Sequence, residues 1–288
     1  MIGCLYDCVR EELCPGNIWV LSEVMEKILR YQINHLPKGK VSDEKTRYPD
    51  DKTSMRAFLD TFFARHYFQV QNSIFEFMTS EKFGWIIETG KLNILDIGSG
   101  PAVASLAITD ILKYILKYFN YKRSIRINYF LNDPVRLCLS AGEDLLDSYF
   151  LLSNRDNKCL KNIVLNLEES FPSNINRLKR IKKNYGEYDI IIFSYVATPL
   201  NEQESNDRID SAFLEMELIC NKNGKILIIQ DKFKEILMRK ITGLIGKSYK
   251  EEELSQYVYS SNNSNEIQTY TYFSCLYSPK GDYYERQI

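Results

Sequence analysis

The sequence predicts an α/β protein: a mostly parallel sheet with helices on both faces, closed by an antiparallel C-terminal hairpin and preceded by a block of helices. Three observations predict it. From Leu92 onward, short apolar runs alternate with longer helical stretches, the rhythm of β-α units. Near the C-terminus, two runs rich in Tyr, Thr and Phe are joined by turn-forming residues. Before residue 91, apolar residues recur at helical spacing.

The elements follow in order. Ser22 to Leu36 carries Val24, Ile28, Tyr31 and His35 at helical spacing. Pro37 to Lys52 is polar and reads as a loop. From Ser54, the stripe Phe58, Phe62, Tyr67, Val70, Ile74, Phe77 and Met78 has a period near 3.6. Residues 1–90 are therefore expected to form a helical N-terminal cap, a candidate lid or substrate region, on a domain of residues 91–288. In that domain Ile94–Ile97 is the first strand, followed by a helix from Pro101 to about Tyr118. Ile125–Leu131 is the second, followed by a helix from Pro134 to Leu152. Asn162–Leu167 is the third. Asp189–Ser194 is the fourth, with a helix from about Glu202 to Cys220, and Lys225–Gln230 is the fifth. A helical or loop stretch to about Leu254 then leads to strands Gln256–Ser260 and Thr269–Tyr277, joined by the turn residues Ser261 to Asn265.

Composition narrows the function. The chain has 288 residues, 44% hydrophobic and 26% charged, which suits one large domain with an appendage. Its formal net charge of -1 gives no overall basic field for nucleic acid. The densest basic run, Arg177 to Lys183, reads as a solvated face. No apolar run approaches the ~20 residues that span a bilayer, and Met1 to Asp7 lacks a basic segment ahead of an apolar core. Seven scattered cysteines point to free thiols in a reducing compartment, so a cytoplasmic location without membrane contact is expected. Cys4, Cys8 and Cys14 lack the paired spacing of zinc sites, and Glu11 stands where an iron–sulfur loop would need its third cysteine. They read as small buried hydrophobes on an N-terminal helix, with no metal.

The most informative stretch is Asn93-Ile94-Leu95-Asp96-Ile97-Gly98-Ser99-Gly100-Pro101-Ala102. An apolar strand ends in an acid, a glycine turn follows, and a helix opens. Gly98 and Gly100 leave no side chains between the backbone and a small ligand, and the helix start offers free amides to an anion. A nicotinamide dinucleotide fingerprint would need glycine at position 103, where Val103 stands. The Gly-Lys-Ser/Thr of a P-loop is missing as well.

With five alternating strands and a terminal hairpin, the chain resembles the class I S-adenosylmethionine-dependent methyltransferases over about residues 90–280. The resemblance implies a Rossmann-like seven-stranded sheet, S-adenosyl-L-methionine as cofactor, and methyl transfer as the activity. That family's first strand ends in Asp/Glu-x-Gly-x-Gly-x-Gly. Here Asp96, Gly98, Ser99, Gly100 and Pro101 match, and Ala102 replaces the last glycine. Alanine fits there at a negative φ and is strained at a positive one. Asp96 is implied to face the methionyl ammonium. Asp133, after the second strand, is implied to take the ribose hydroxyls, or else to cap the helix at Pro134. Asn166 or Glu168, with Glu169 also within range, is implied for adenine. Ser194 ends the fourth strand, whose carboxyl end faces the methyl group in this fold.

At the reacting end, the Asp/Asn-Pro-Pro-aromatic motif of amino-directed nucleic-acid enzymes is replaced by Ser194-Tyr195-Val196-Ala197. His66 is the candidate base and Tyr195 a candidate wall of the acceptor pocket. Arg65 and Tyr67 are candidates for the methionine carboxylate or the substrate. The cap and the glycine motif also look like the ribosome-associated methyltransferase-like group, whose cysteine-rich metal segment is missing here. A small-molecule or protein acceptor is favoured over nucleic acid. The alternative is a catalytically silent, methyltransferase-like binding module.

Overall fold

The computed structural model describes residues 2–42, 46, 48–153, 159–195, 205–259 and 266–279. The N-terminal part contributes α1 (Ile2–Leu13), β1 (Ile18–Trp19), α2 (Glu23–His35), α3 (Lys52–Thr61), α4 (Phe63–Met78) and α5 (Gly84–Thr89). The Ser22 hydroxyl accepts from Met25 N at 3.3 Å and so starts α2. Asp51 and Ser54 form a reciprocal capping box on α3. Gly90, at φ +65, ends α5 and turns the chain into the sheet.

The alternating part then runs β2 (Lys91–Ile97), α6 (Val103–Tyr118), β3 (Ile125–Asn132), α7 (Arg136–Ser153), β4 (Leu160–Leu167), α8 (Ile175–Tyr185), β5 (Tyr188–Ser194), α9 (Asn206–Ile219), β6 (Cys220–Asp231), α10 (Glu235–Leu244), β7 (Lys250–Tyr257) and β8 (Ile267–Tyr277). All seven anticipated strands are present. They join one sheet in the order β1-β7-β8-β6-β5-β2-β3-β4, in which β8 alone runs against the rest. The eighth strand, β1, pairs parallel to β7 through Ile18–Ser255 and Trp19–Gln256. Two residues are too few for strand alternation to show in the sequence.

The sheet is buried on both sides, so its strands read as continuous apolar runs. In β2, Leu92 and Ile94 join a core shared with α1–α4, α6 and α7, and Leu95 and Ile97 join a core with α8–α10. The first core runs unbroken from Leu5 in α1 to Tyr272 in β8. The described helices before residue 90 are thus packed into one face of the sheet, with no gap in the core at residue 90.

Several boundaries move. The helix after the glycine turn begins at Val103 rather than Pro101, because three turn residues first take left-handed backbone. The helix after Asp133 begins at Arg136 rather than Pro134. The stretch expected to stay helical or looped to Leu254 is split between α10 and a strand starting at Lys250, where Glu251 to Glu253 hid the apolar alternation. The hairpin turn Ser261–Asn265 lies outside the described residues, as does the first part of the helix expected from Glu202. The basic run lies on α8, where Arg177, Lys179 and Lys182 pair with Glu169, Glu215 and Glu187. Cys14 is buried as expected, but Cys4 and Cys8 are exposed. They occupy the side of α1 away from Leu5, Val9 and Leu13. Among the described residues, no helix is long and apolar enough to cross a membrane.

Candidate functional site

The cleft opens at the carboxyl end of β2, where open α/β sheets place their ligands. Its cavity of about 230 Å³ could hold on the order of fifteen waters, so it is sized for a small ligand rather than an ion. The glycine turn forms its floor through Gly98, Ser99, Gly100 and Pro101. Gly98 (φ +64), Gly100 (φ +49) and Ala102 (φ +57) alternate in the left-handed region. A Cβ built on Gly100 would meet nothing within 4 Å, so this glycine leaves space open at the cleft.

Ala102 takes the positive φ at which alanine is strained. Its Cβ carries a cost of ~1–2 kcal/mol in the left-handed region. The methyl group is fully buried against Gly142 of α7, where an added Cβ would lie 3.0 Å from both Ala102 Cβ and Ala102 N. The missing side chain at Gly142 makes room for the extra one at Ala102.

Two carboxylates stand on this turn. Asp96 is fully buried, and its Oδ2 accepts from Ser105 N (3.2 Å) and Ser105 Oγ (2.8 Å) at the start of α6. Its Oδ1 has no partner among the described residues. Burial pushes its carboxyl up to about 7, with nearby Asp133 adding to the effect. Asp133 Oδ2 accepts from Gly100 N (3.0 Å) and its Oδ1 from Val135 N (2.8 Å). It therefore braces the glycine turn and starts the bend into α7. Asp133 lines the cleft, and each oxygen can accept one further hydrogen bond. Burial raises its pKa too.

Opposite the turn, His66 and Tyr195 meet although 129 positions separate them in sequence (195 − 66). Their rings stack at 3.9 Å and 20°, and both line the cleft. Tyr195 is itself left-handed (φ +63), held by its N–H to Ile229 O (3.0 Å) and its hydroxyl to Gln69 Oε1. Burial, with Arg65 beside it, holds the His66 imidazole well below its ordinary pKa, so the ring is neutral at neutral pH. Ser194 also lines the cleft.

Four sequence candidates do not reach it. Tyr67 is fully buried between α4 and α6, near Asp110, because its turn of α4 faces the core. Arg65 points along β6 instead, with Nη2 3.5 Å from Asp231 Oδ1 and its guanidinium over Phe62 and Tyr270. Asn166 donates to Glu143 Oε2 at 2.8 Å, toward α7. Glu168 is exposed and outside the cavity wall. After β4, the wall is formed instead by Ser170 and Phe171. Sequence reasoning also missed Tyr48, Pro49 and Phe58 of the N-terminal part, and Val135 and Cys138 before and within α7. Phe58 belongs to the apolar helical stripe and Tyr48-Pro49 to a polar loop, so neither carries a local signal of the cleft.

No protein-family model matches the chain. A comparison with curated proteins finds no match either. Among solved structures, the chain is similar to a putative O-methyltransferase from Klebsiella pneumoniae (8% identity, TM-score 0.41, covering 96% of each chain). It is also similar to precorrin-6y C5,15-methyltransferase from Geobacter metallireducens (11% identity, TM-score 0.40, 68% of this chain and 85% of that one). A putative RNA methyltransferase from Pyrococcus horikoshii is a third (11% identity, TM-score 0.38, 90% and 99%). These likenesses are of chain course alone, and the functional reading rests on the cleft. With β1 set aside, the strand order and the reversed β8 are those of the Rossmann-like methyltransferase sheet.

Proposed function

We propose that this chain is an S-adenosylmethionine-dependent methyltransferase that transfers a methyl group in line to its acceptor, mainly by positioning. The observation that carries this reading is Asp96 Oδ1. A buried carboxylate oxygen without a partner, on the wall of a cleft, lacks a donor that a ligand ammonium supplies. The open space at Gly100 fits the same ligand, since its backbone can be approached without a side chain between.

When bound, the cofactor supplies a methyl group on a positively charged sulfur that leaves readily. The residues of the chain hold and shield it. Asp96 Oδ1 accepts from the ammonium. The amides of Val103 and Ala104, which start α6 and line the cleft, would serve the carboxylate. Asp133 uses its remaining lone pairs for the ribose hydroxyls. Phe171, Val135 and Cys138 supply apolar walls, and Tyr48, Pro49 and Phe58 keep water from the acceptor side. His66, neutral and lining the cleft, takes the acceptor's proton where the nucleophile must lose one. Tyr195 holds the His66 ring by stacking and lines the acceptor space. The aromatic walls and the net charge of -1 favour a small-molecule or protein acceptor. The binding-module reading draws on one observation: the Tyr195 hydroxyl is already engaged by Gln69.

Isothermal titration with S-adenosylmethionine and S-adenosylhomocysteine tests the first step, and both are expected to bind. No binding of either at millimolar concentration overturns the proposal. Transfer of a tritiated methyl group to lysate separated into RNA, protein and metabolite pools tests the second. Binding with no transfer to any pool selects the silent module.

A further inference from the structure

The N-terminal cysteines lie away from the cleft, and their chemistry does not depend on the function proposed above. α1 packs through Leu5, Val9 and Leu13, which leaves Cys4 and Cys8 on its exposed side. The two are one helical turn apart, with Sγ atoms 3.9 Å from each other. The other five cysteines, Cys14, Cys138, Cys159, Cys220 and Cys275, are all buried. The two thiols open to a reagent are thus the two that touch. Among the described residues, no third metal-binding group joins them, so the pair suits two-thiol chemistry rather than a metal centre.

The pair is also unequal. Cys4 sits in the first turn of α1, where unpaired amides favour a thiolate. The Tyr118 hydroxyl, and after it Cys8, lowers its pKa, while the hydrogen bond to Cys4 raises that of Cys8. One thiol ionises first and its neighbour holds the proton, the division between attacking and resolving cysteines.

We propose that Cys4 and Cys8 form a redox-active dithiol that a low-molecular-weight disulfide, such as glutathione disulfide, converts to an intramolecular disulfide. The Cys4 thiolate attacks one sulfur of glutathione disulfide. That S–S bond breaks, and the first glutathione leaves as a thiolate that takes up the proton Cys4 released. Cys8 then loses its proton and attacks the Cys4 sulfur of the mixed disulfide, expelling the second glutathione, which takes that proton. Two protein thiols are oxidised, and one glutathione disulfide is reduced to two thiols. Closure brings the sulfurs from 3.9 Å to the ~2.0 Å of a disulfide bond. It also draws the Cβ atoms inside the ~5–6 Å of one helical turn. The first turn of α1, which contains Gly3, can unwind to allow this while Val9 and Leu13 stay anchored.

The test is intact-mass measurement of the full native chain after exposure to glutathione disulfide, with iodoacetamide counting the remaining accessible thiols. The wild type is expected to lose two hydrogens and both accessible thiols, reversibly with dithiothreitol. Cys8→Ser is expected to stop at a stable single glutathione adduct on Cys4. Accumulation of two glutathione adducts on the wild type overturns the proposal. So does a Cys8→Ser variant that carries no more stable adduct than the wild type.

Discussion

Asp96 is the residue at which folding and the proposed binding pull in opposite directions, and Asp96→Asn separates them. Burial raises its carboxyl from 3.8 to about 7 in the folded protein. The folded state therefore holds this proton more tightly than the unfolded chain does. Below 3.8 both states are protonated and the group is neutral to stability. Between 3.8 and about 7 the unfolded chain ionises first, so stability falls as pH rises. Above that range the full cost is present, on the order of 4 kcal/mol at ~1.4 kcal/mol per tenfold change. Asparagine keeps the shape and an oxygen for the two Ser105 donors, and it cannot ionise. In urea denaturation at mildly alkaline pH, Asp96→Asn is expected to be more stable than wild type by up to about 4 kcal/mol. The gap should close as the pH approaches that of an ordinary carboxyl. The same variant loses the charged acceptor for the ligand ammonium. A charge-assisted hydrogen bond contributes about 1.5–3 kcal/mol, so the dissociation constant for S-adenosylmethionine should rise roughly ten- to a hundredfold. A variant less stable than wild type at alkaline pH refutes the electrostatic argument. An unchanged dissociation constant refutes the placement of the ligand.

Four further substitutions probe the cleft and the core beside it. Gly142→Ala should destabilise by about 1 kcal/mol, overpacking of ~1–3 kcal/mol against Ala102 outweighing ~1 kcal/mol of helix propensity. Ala102→Gly should rescue it, and strictly additive effects in urea denaturation would break the argument. Gly100→Asn, a side chain that tolerates the left-handed region, should change stability by less than ~1 kcal/mol. It should weaken S-adenosylmethionine binding at least ~tenfold by filling the floor, and unaltered affinity in calorimetry would contradict this. Asp110→Ala leaves the Tyr149 hydroxyl (2.5 Å) and the Ser22 hydroxyl (3.0 Å) without their buried acceptor. At ~1–3 kcal/mol per orphaned group, the loss is about 2–6 kcal/mol by urea denaturation, with ligand affinity unchanged in the folded protein. A loss below ~1 kcal/mol would mean that these hydroxyls find other partners.

The alternating half was legible because each strand is buried on both faces and each helix is long, so period and length agree. Gly98 and Gly100 were legible because a left-handed turn favours glycine locally, and Asp96 because an acid ends an otherwise apolar strand. The parts that were missed depend on contacts distant in sequence. The pairing of β1 with β7 joins residues 18 and 255, and no local pattern announces it. Tyr67 and Arg65 sit beside His66 in sequence, yet successive positions of α4 point about a quarter-turn or more apart, so only His66 reaches the cleft. Asn166 fell to Glu143, a partner that only the α7–β4 contact brings near. The glutamates at Glu251 to Glu253 concealed the first part of β7 because alternation is unreadable when the solvent-facing and flanking positions carry the same charge.

The strained positions show what the cleft is built from. Four non-glycine residues among those described take positive φ. Asn17 and Asn120 lie in turns and belong to a residue type that tolerates it. Ala102 and Tyr195 have no such excuse: Tyr195 lines the cleft, and Ala102 sits behind it between the lining residues Pro101 and Val103. Each is held by an element remote in sequence: Ala102 by the space at Gly142 in α7, and Tyr195 by Gln69 in α4 and the Ile229 carbonyl in β6. Strain of ~1–3 kcal/mol per residue persists only where the surroundings over-determine it. The surroundings of Tyr195 include α4, which carries His66, so the N-terminal helices set the shape of this wall of the cleft as well as cover the sheet. Under the proposed function, acceptor selectivity would rest chiefly with α3, α4 and the segment holding Tyr48 and Pro49, and cofactor binding with the glycine turn and its two carboxylates.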